Sequence, residues 1–263
     1  MRANSPAFRL LLVFVTASII LSSCGGGSTA VKTAARTAAP TKDPACAVTP
    51  VAAPGNALQN GGFESGGDPW TSLSTASWGR AFTLSQQKAH SGSNSAYLEL
   101  RSEDGGATKV YGVVQELPPG QFPETLSGYY YVDQWEKGTP KQYLQFVVIV
   151  NNAANIPPEV TALQAMNHQV RYILAGVDSQ PTNILNSRYV FVTKEPPKQG
   201  EWVHFERNVR QDFCDLWGSV PTGYSSIRVL FETRWDDRAG TDGPSAADVY
   251  YDDLYWGPAT GAP

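Results

Sequence analysis

Ten short runs of aromatic and β-branched residues, each stopped by a turn signal, constrain this chain more than any other feature. They lie at 78–86, 95–101, 110–117, 126–135, 142–150, 170–177, 188–193, 202–209, 227–234 and 249–256. In 95–101, Ala96, Leu98 and Leu100 alternate with Tyr97, Glu99 and Arg101, the period of a half-buried strand. Residues 142–150 are a run of Tyr, Leu, Phe, Val and Ile that suits a central strand. Turn signals separate the runs: Pro118-Pro119-Gly120, Gly138-Thr139-Pro140, Pro157-Pro158, Pro196-Pro197 and Gly240-Thr241-Asp242-Gly243-Pro244. Only 159–168 suits a helix, and it is short. Many strands at this spacing, without alternating helices, predict an all-β fold, an antiparallel β-sandwich.

The chain begins differently. Arg2 and Arg9 precede an apolar run over 10–21 that ends in Leu21-Ser22-Ser23-Cys24. A charged start, a short apolar stretch and small residues before a cut make a secretory leader. The run is too short to stay in a bilayer as a spanning helix. Leu-Ser-Ser-Cys resembles the lipobox of bacterial lipoproteins. That resemblance implies cleavage before Cys24 and acylation of Cys24 on its thiol and its new amino group. The chain would then be extracytoplasmic and lipid-anchored to the cell membrane or outer membrane, since several acyl chains hold where one alone is marginal. Gly25 after the cysteine resembles the outer-membrane-sorted kind.

Residues 25–29 are Gly, Ser and Thr, and 30–54 are rich in Ala, Thr and Pro. Such a stretch cannot bury enough apolar surface to offset chain entropy, so a flexible linker is expected. The organisation is therefore a leader at 1–23, a linker at 24–55, a β-domain at 56–258 and a tail at 259–263. Without the two arginines of the leader, 18 basic residues face 24 acidic ones. An acidic domain with no basic run argues against nucleic acid as a partner; a monomer is expected. With Cys24 lipidated, Cys46 and Cys214 remain. In an oxidising compartment they can pair, which would pin the linker's end to the domain, or they can stay as two free thiols.

The ends of the domain carry a second resemblance. Leu58-Gln59-Asn60-Gly61-Gly62-Phe63-Glu64 opens it, with Pro69-Trp70 after. Ala89-His90-Ser91-Gly92-Ser93-Asn94-Ser95 follows, then Val113-Val114-Gln115-Glu116-Leu117. Val249-Tyr250-Tyr251-Asp252-Asp253-Leu254-Tyr255-Trp256 closes it. In this order these motifs resemble carbohydrate-binding modules with a galactose-binding-domain-like jelly roll; the middle, 151–221, is unmatched. The resemblance implies a polysaccharide or glycan partner, bound without catalysis. It also implies a structural Ca²⁺ held by Glu64, Asp252 and carbonyls at or near Ser91. Two carboxylates brought together repel unless a hard cation lies between them. Asp252 and Asp253 are strand neighbours that point to opposite faces, so one of them faces Glu64; Asp252 matches the family's ligand. The alternative is that these carboxylates are solvated or ion-paired.

Sugar binding needs exposed flat rings beside polar groups. Tyr129, Tyr131 and Trp135 share a strand face by period two and form one candidate stripe, unless that face is core. Trp235, opening the polar loop Asp236-Asp237-Arg238, is a second candidate, with Arg238 beside it. Trp78, Trp202 and Trp256 fall on strand patterns and read as packing residues. Two other functions stay open. A jelly-roll lyase or glycosidase needs a base beside a cation or Arg, or two spaced carboxylates. The histidines are His90, His168 and His204, with no His-Glu-x-x-His and no Gly-x-Ser-x-Gly. His204, between Val203 and Phe205, reads as structural, and His168 near Arg171 and Tyr172 is the nearest approach to a lyase group. The third function is a structural or adhesive surface protein with no sugar site.

Overall fold

The computed structural model describes residues 43–47, 55–73 and 80–259. The leader, Cys24, most of the linker, Trp78 and residues 260–263 lie outside the described residues. The strands are β1 (Thr71–Ser72), β2 (Thr83–Ser85), β3 (Ser95–Arg101), β4 (Lys109–Leu117), β5 (Thr125–Glu136), β6 (Gln142–Asn151), β7 (Asn167–Ala175), β8 (Ser187–Phe191), β9 (Trp202–Asn208), β10 (Ser226–Trp235) and β11 (Ala246–Gly257). Two short helices interrupt them, α1 (Pro158–Ala162) and α2 (Val209–Trp217). Sheet A has the order β1-β4-β10-β6-β7-β8, and sheet B the order β2-β3-β11-β5-β9. From β3 to β6 and again from β9 to β11, each strand crosses to the opposite sheet. The protein is an all-β jelly-roll sandwich. Its pairing is antiparallel with one correction to expectation: β7 and β8 run parallel.

The core follows from strand parity. Along β10, Ile227, Val229, Phe231 and Trp235 point inward and are buried. Phe146 of β6 stacks on Tyr172 of β7 at 4.2 Å and on Phe205 of β9 at 5.3 Å, which joins the sheets at mid-thickness. Each such ring contributes about 1.5–3 kcal/mol on burial. The same parity turns His168 and Tyr172 inward and leaves Arg171 on the other side of the sheet. The His, Tyr and Arg group weighed as a lyase centre is therefore split across the sheet.

The opening segment docks along the end of β11. Asn56 donates to the Leu254 carbonyl, and its side-chain oxygen accepts from the Trp256 and Leu58 amides. Leu254 N–H bonds the Gly61 carbonyl. A Cβ on Gly61 would collide with the Leu254 backbone, so the close approach requires glycine. Asn60, at φ 50°, then staples the loop it begins. Its amide donates to the carbonyls of Gly66 and Asp68, and its carbonyl accepts from the Trp70 indole.

The helix expected over 159–168 is confined to α1, and Asn167 already starts β7. α2 lies where the strand pattern of 202–209 runs out. Asn208 caps it by accepting from Gln211 N–H, and Gly218, at φ 82°, ends it. Val209, Phe213 and Trp217 recur at four-residue spacing and all face the core. Cys214 of α2 forms a disulfide with Cys46, 168 residues away, tying the end of the linker to the sandwich.

α2 also buries His168, whose ring meets Phe213 and Trp217 edge-on at 5.5 Å each. Burial pushes the His168 imidazole down to about 4. Unfolded, it titrates near 6.5, so the folded chain refuses a proton that the unfolded chain accepts. This stability is fully present above about pH 6.5 and is lost as pH falls toward 4, by about 3 kcal/mol at most. His168→Phe is expected to flatten that part of the acid limb. Urea melts at pH 7 and pH 4.5 check it: an equal wild-type-to-variant difference at both pH values contradicts a buried neutral His168.

Candidate functional site

The outer face of sheet B, turned away from sheet A, gathers aromatic rings from four adjacent strands. Register puts Tyr97 of β3 beside Tyr250 of β11, Tyr250 beside Tyr131 of β5, and Tyr131 beside Trp202 of β9. Ring centroids step across the sheet at 4.9, 6.1 and 5.5 Å. One rung along, Tyr129 pairs with His204 at 4.9 Å. The His90 imidazole, from the loop before β3, stacks flat on Tyr129 at 3.5 Å and meets Trp202 edge-on. Tyr250 and Tyr131 in the middle of the row are buried. Trp202, Tyr129 and Tyr97 are half-buried, and His90 and His204 are exposed. The middle rings are thus a floor, and the accessible ring surface lies around Trp202, Tyr129 and the two imidazoles.

Polar side chains rim this floor. Lys88 bonds the Tyr131 hydroxyl at 3.2 Å, lies 3.5 Å from Asp133 and sits over the Tyr131 ring. Asp248 accepts from the Tyr97 hydroxyl and pairs with Arg101 at 2.7 Å. The hydrogen bond to Tyr131 and the charge of Asp133 raise the Lys88 ammonium, which keeps it charged. These groups are held in place by their neighbours, as a recognition surface requires.

What positions His90 is a clasp of carboxylates on its turn. Glu64 accepts from the backbone N–H groups of Ser93 and Asn94 at 2.8 and 2.7 Å, which hold its carboxyl below the usual range. Asp252 accepts from the N–H groups of His90 and Ser91. Asp253 takes the Ser91 hydroxyl and His90 Nδ1, both at 2.6 Å. A Cβ on Gly92, at φ 63°, would press into the Glu64 carboxylate. The expectation that strand neighbours Asp252 and Asp253 point to opposite faces is corrected. A β-bulge between Asp252 and Tyr255, with Asp253 at φ 50°, aims both at one turn. Burial pushes the Asp252 carboxyl up to about 6, against the N–H bonds that favour its charge.

Among the described residues no group of three or more His, Cys, Asp or Glu side chains is gathered to hold a metal ion. The oxygens of Glu64 and Asp252 are engaged by amide donors, and the turn presents N–H groups to them where a cation would need carbonyls.

Of the ring residues expected from sequence, Tyr129 and Tyr131 lie on this face. Trp135 does not, because a β-bulge next to Asp133 shifts the register, and Trp135 pairs with Ala247 on the core side, half-buried. Trp235 is fully buried in the core, its indole bonded to the Gly106 carbonyl, so it is no platform. Arg238 stays beside the buried Trp235 and donates to the Gly243 carbonyl. The readings of Trp202 as packing and His204 as structural are corrected too. Since Val203 and Phe205 face inward, alternation sends Trp202 and His204 outward, a signal present in the sequence.

No protein-family model matches the chain, and no curated protein matches it. Solved structures similar to it include carbohydrate-binding modules and parts of enzymes, among them a β-1,2-glucanase from Parabacteroides distasonis. One is TmCBM61 in complex with β-1,4-galactotriose (13% identity, 76% of this chain and 97% of that one, TM-score 0.39). Another is the CBM22 tandem of Paenibacillus barcinonensis Xyn10C (16%, 78% and 50%, TM-score 0.43). A third is a CBM28 specific for non-crystalline cellulose (15%, 80% and 99%, TM-score 0.40). Likeness of this degree leaves the reading of function to the chain's own residues.

Proposed function

We propose that the protein is an extracytoplasmic, lipid-anchored protein that binds a polysaccharide or glycan, without catalysis, on the outer face of sheet B. The observation that carries this is the ring cluster of Trp202, Tyr129, His90 and His204 on a floor of Tyr131 and Tyr250, rimmed by Lys88 and Asp133. The apolar C–H face of a pyranose packs on the negative face of an aromatic ring. Hydroxyl groups at the sugar's edge then accept hydrogen bonds from Lys88, donate to Asp133 and exchange them with the imidazoles. Two carboxylates of this face are paired, Asp133 with Lys88 and Asp248 with Arg101 and Tyr97. That supports orienting a ligand rather than moving protons in it.

Affinity electrophoresis through gels cast with different polysaccharides tests this reading. At least one neutral polysaccharide is expected to retard the protein. Trp202→Ala, at a half-exposed position, is expected to keep its fold and weaken that retardation by about tenfold or more, the effect of losing a central interface ring. Undiminished retardation of the variant, or a wild-type chain that no polysaccharide retards, contradicts the proposal.

Calcium at Glu64 and Asp252 is a further part of the proposal. Carboxylate oxygens from two ends of the domain meeting at one turn are the donor type that a hard cation takes. For it to bind, peptides near Ser91 must turn carbonyls inward in place of the N–H groups. Removal of bound calcium by EDTA is expected to lower the melting temperature by several degrees, and calcium to restore it. An unchanged melting temperature leaves the amide clasp as the whole of the site.

The lipid anchor is supported by the leader and Cys24 alone. Expressed in a bacterial host, the chain is expected to take up labelled palmitate and to sediment with membranes, and Cys24→Ser to do neither. Labelling that survives the substitution refutes the anchor.

A further inference from the structure

Three of the chain's eight lysines converge on one cleft at the end of the sandwich where β5 turns into β6. Lys137 and Lys141 come from that turn, and Lys194 from the segment after β8. The cleft measures about 340 Å³. That is the lower end of the range of small-molecule sites, about 300–1,000 Å³. Its walls are stiff: Pro140, Pro181 and Pro196 fix their own φ angles, and Lys137 Nζ donates to the Gly176 carbonyl at 2.6 Å. Trp135 stands behind Gly176, where an added Cβ would come within 3.2 Å of its ring.

The charges are unbalanced. Among the described residues, Asp178 is the one carboxylate in the lining. Lys141 is paired at the rim with the exposed Asp237. Lys137 and Lys194 make no ion pair among the described residues. Lys194 instead lies 5.5 Å from the centre of the Phe191 ring. In a chain of net charge −4, this concavity concentrates positive charge. Like charges brought close together repel, and an anion between them relieves the repulsion.

We propose that this cleft is an anion-binding subsite that takes the carboxylate or sulfate group of a charged saccharide. Lys137 and Lys194 meet the anion, while Asp178, Ser179 and Gln180 line the part of the cleft that would meet sugar hydroxyls. That the anion belongs to a saccharide rests on the glycan reading above; the anion site itself rests on the lysines alone. The cleft would then add acidic or sulfated polymers to the range of ligands, while the ring face of sheet B supplies sugar stacking.

Titration calorimetry of the whole chain at constant ionic strength tests it, with glucuronate, inorganic sulfate and glucose as separate probes. At least one of the two anions is expected to bind, and glucose to give no heat at this site. Glucuronate without sulfate identifies a carboxylate site, and sulfate without glucuronate a sulfate site. Lys194→Gln is expected to weaken anion binding about fivefold, as for a lost charged contact of about 1 kcal/mol. Lys194→Arg is expected to retain it, and Lys137→Gln with Lys194→Gln to abolish it. Trp202→Ala should leave anion binding unchanged while weakening retardation by neutral polysaccharide, so failure of the cleft and failure of the ring face read out separately. No anion binding up to about 50 mM, far weaker than a millimolar site, overturns the proposal. Anion binding undiminished in the double lysine variant overturns it too.

Discussion

The bulge in β11 between Asp252 and Tyr255 is the constraint on which the rest of the site depends. β11 is the middle strand of sheet B, flanked by β3 and β5, so its backbone fixes both neighbours. A regular strand would send Asp252 and Asp253 to opposite faces. The bulge turns both onto the 90–94 turn, and Glu64 reaches the same turn from the opening loop. The turn therefore receives three carboxylates from two ends of the chain, and His90 is set down flat on Tyr129. The opening and closing motifs thus do more than close the sandwich: they aim one ring of the candidate binding face.

The arrangement also explains why the ring cluster can stay rigid. Its members come from the loop before β3 and from β3, β5, β9 and β11, strands joined by antiparallel ladders along much of their length. The buried members, Tyr131 and Tyr250, support the exposed ones from below. A surface already ordered in the free protein loses little side-chain freedom on binding, so more of each contact appears as affinity. The cost is local strain. Asn60, Phe63 and Asp253 all adopt left-handed φ angles within the opening and closing motifs, where the surrounding packing over-determines them.

Much of this was legible in the sequence, and the failures have identifiable causes. Strand positions could be read because alternation survives over most of each strand, as in Ala96, Leu98 and Leu100. The nearness of Glu64 to the last strand is implied by the family resemblance. Trp135 went wrong because one extra residue at the bulge next to Asp133 reverses parity, and no residue type there announces it. Trp235 misleads for another reason: it opens a polar loop, yet it continues the inward series of Ile227, Val229 and Phe231. α2 was hidden because 202–209 ends in a valine that serves the helix rather than the strand. The lysine cleft had no linear signal at all, since Lys137 and Lys194 meet only through the fold.

The glycan-binding surface we propose is the outer face of sheet B. Amide chemical-shift mapping tests it most directly, with a neutral oligosaccharide derived from a polysaccharide that retains the protein. Shifts are predicted to concentrate at His90, Tyr97, Tyr129, Tyr131, Trp202 and His204, and to leave the outer face of sheet A unmoved. Perturbations confined to sheet A, or scattered without any cluster around Trp202, would contradict it.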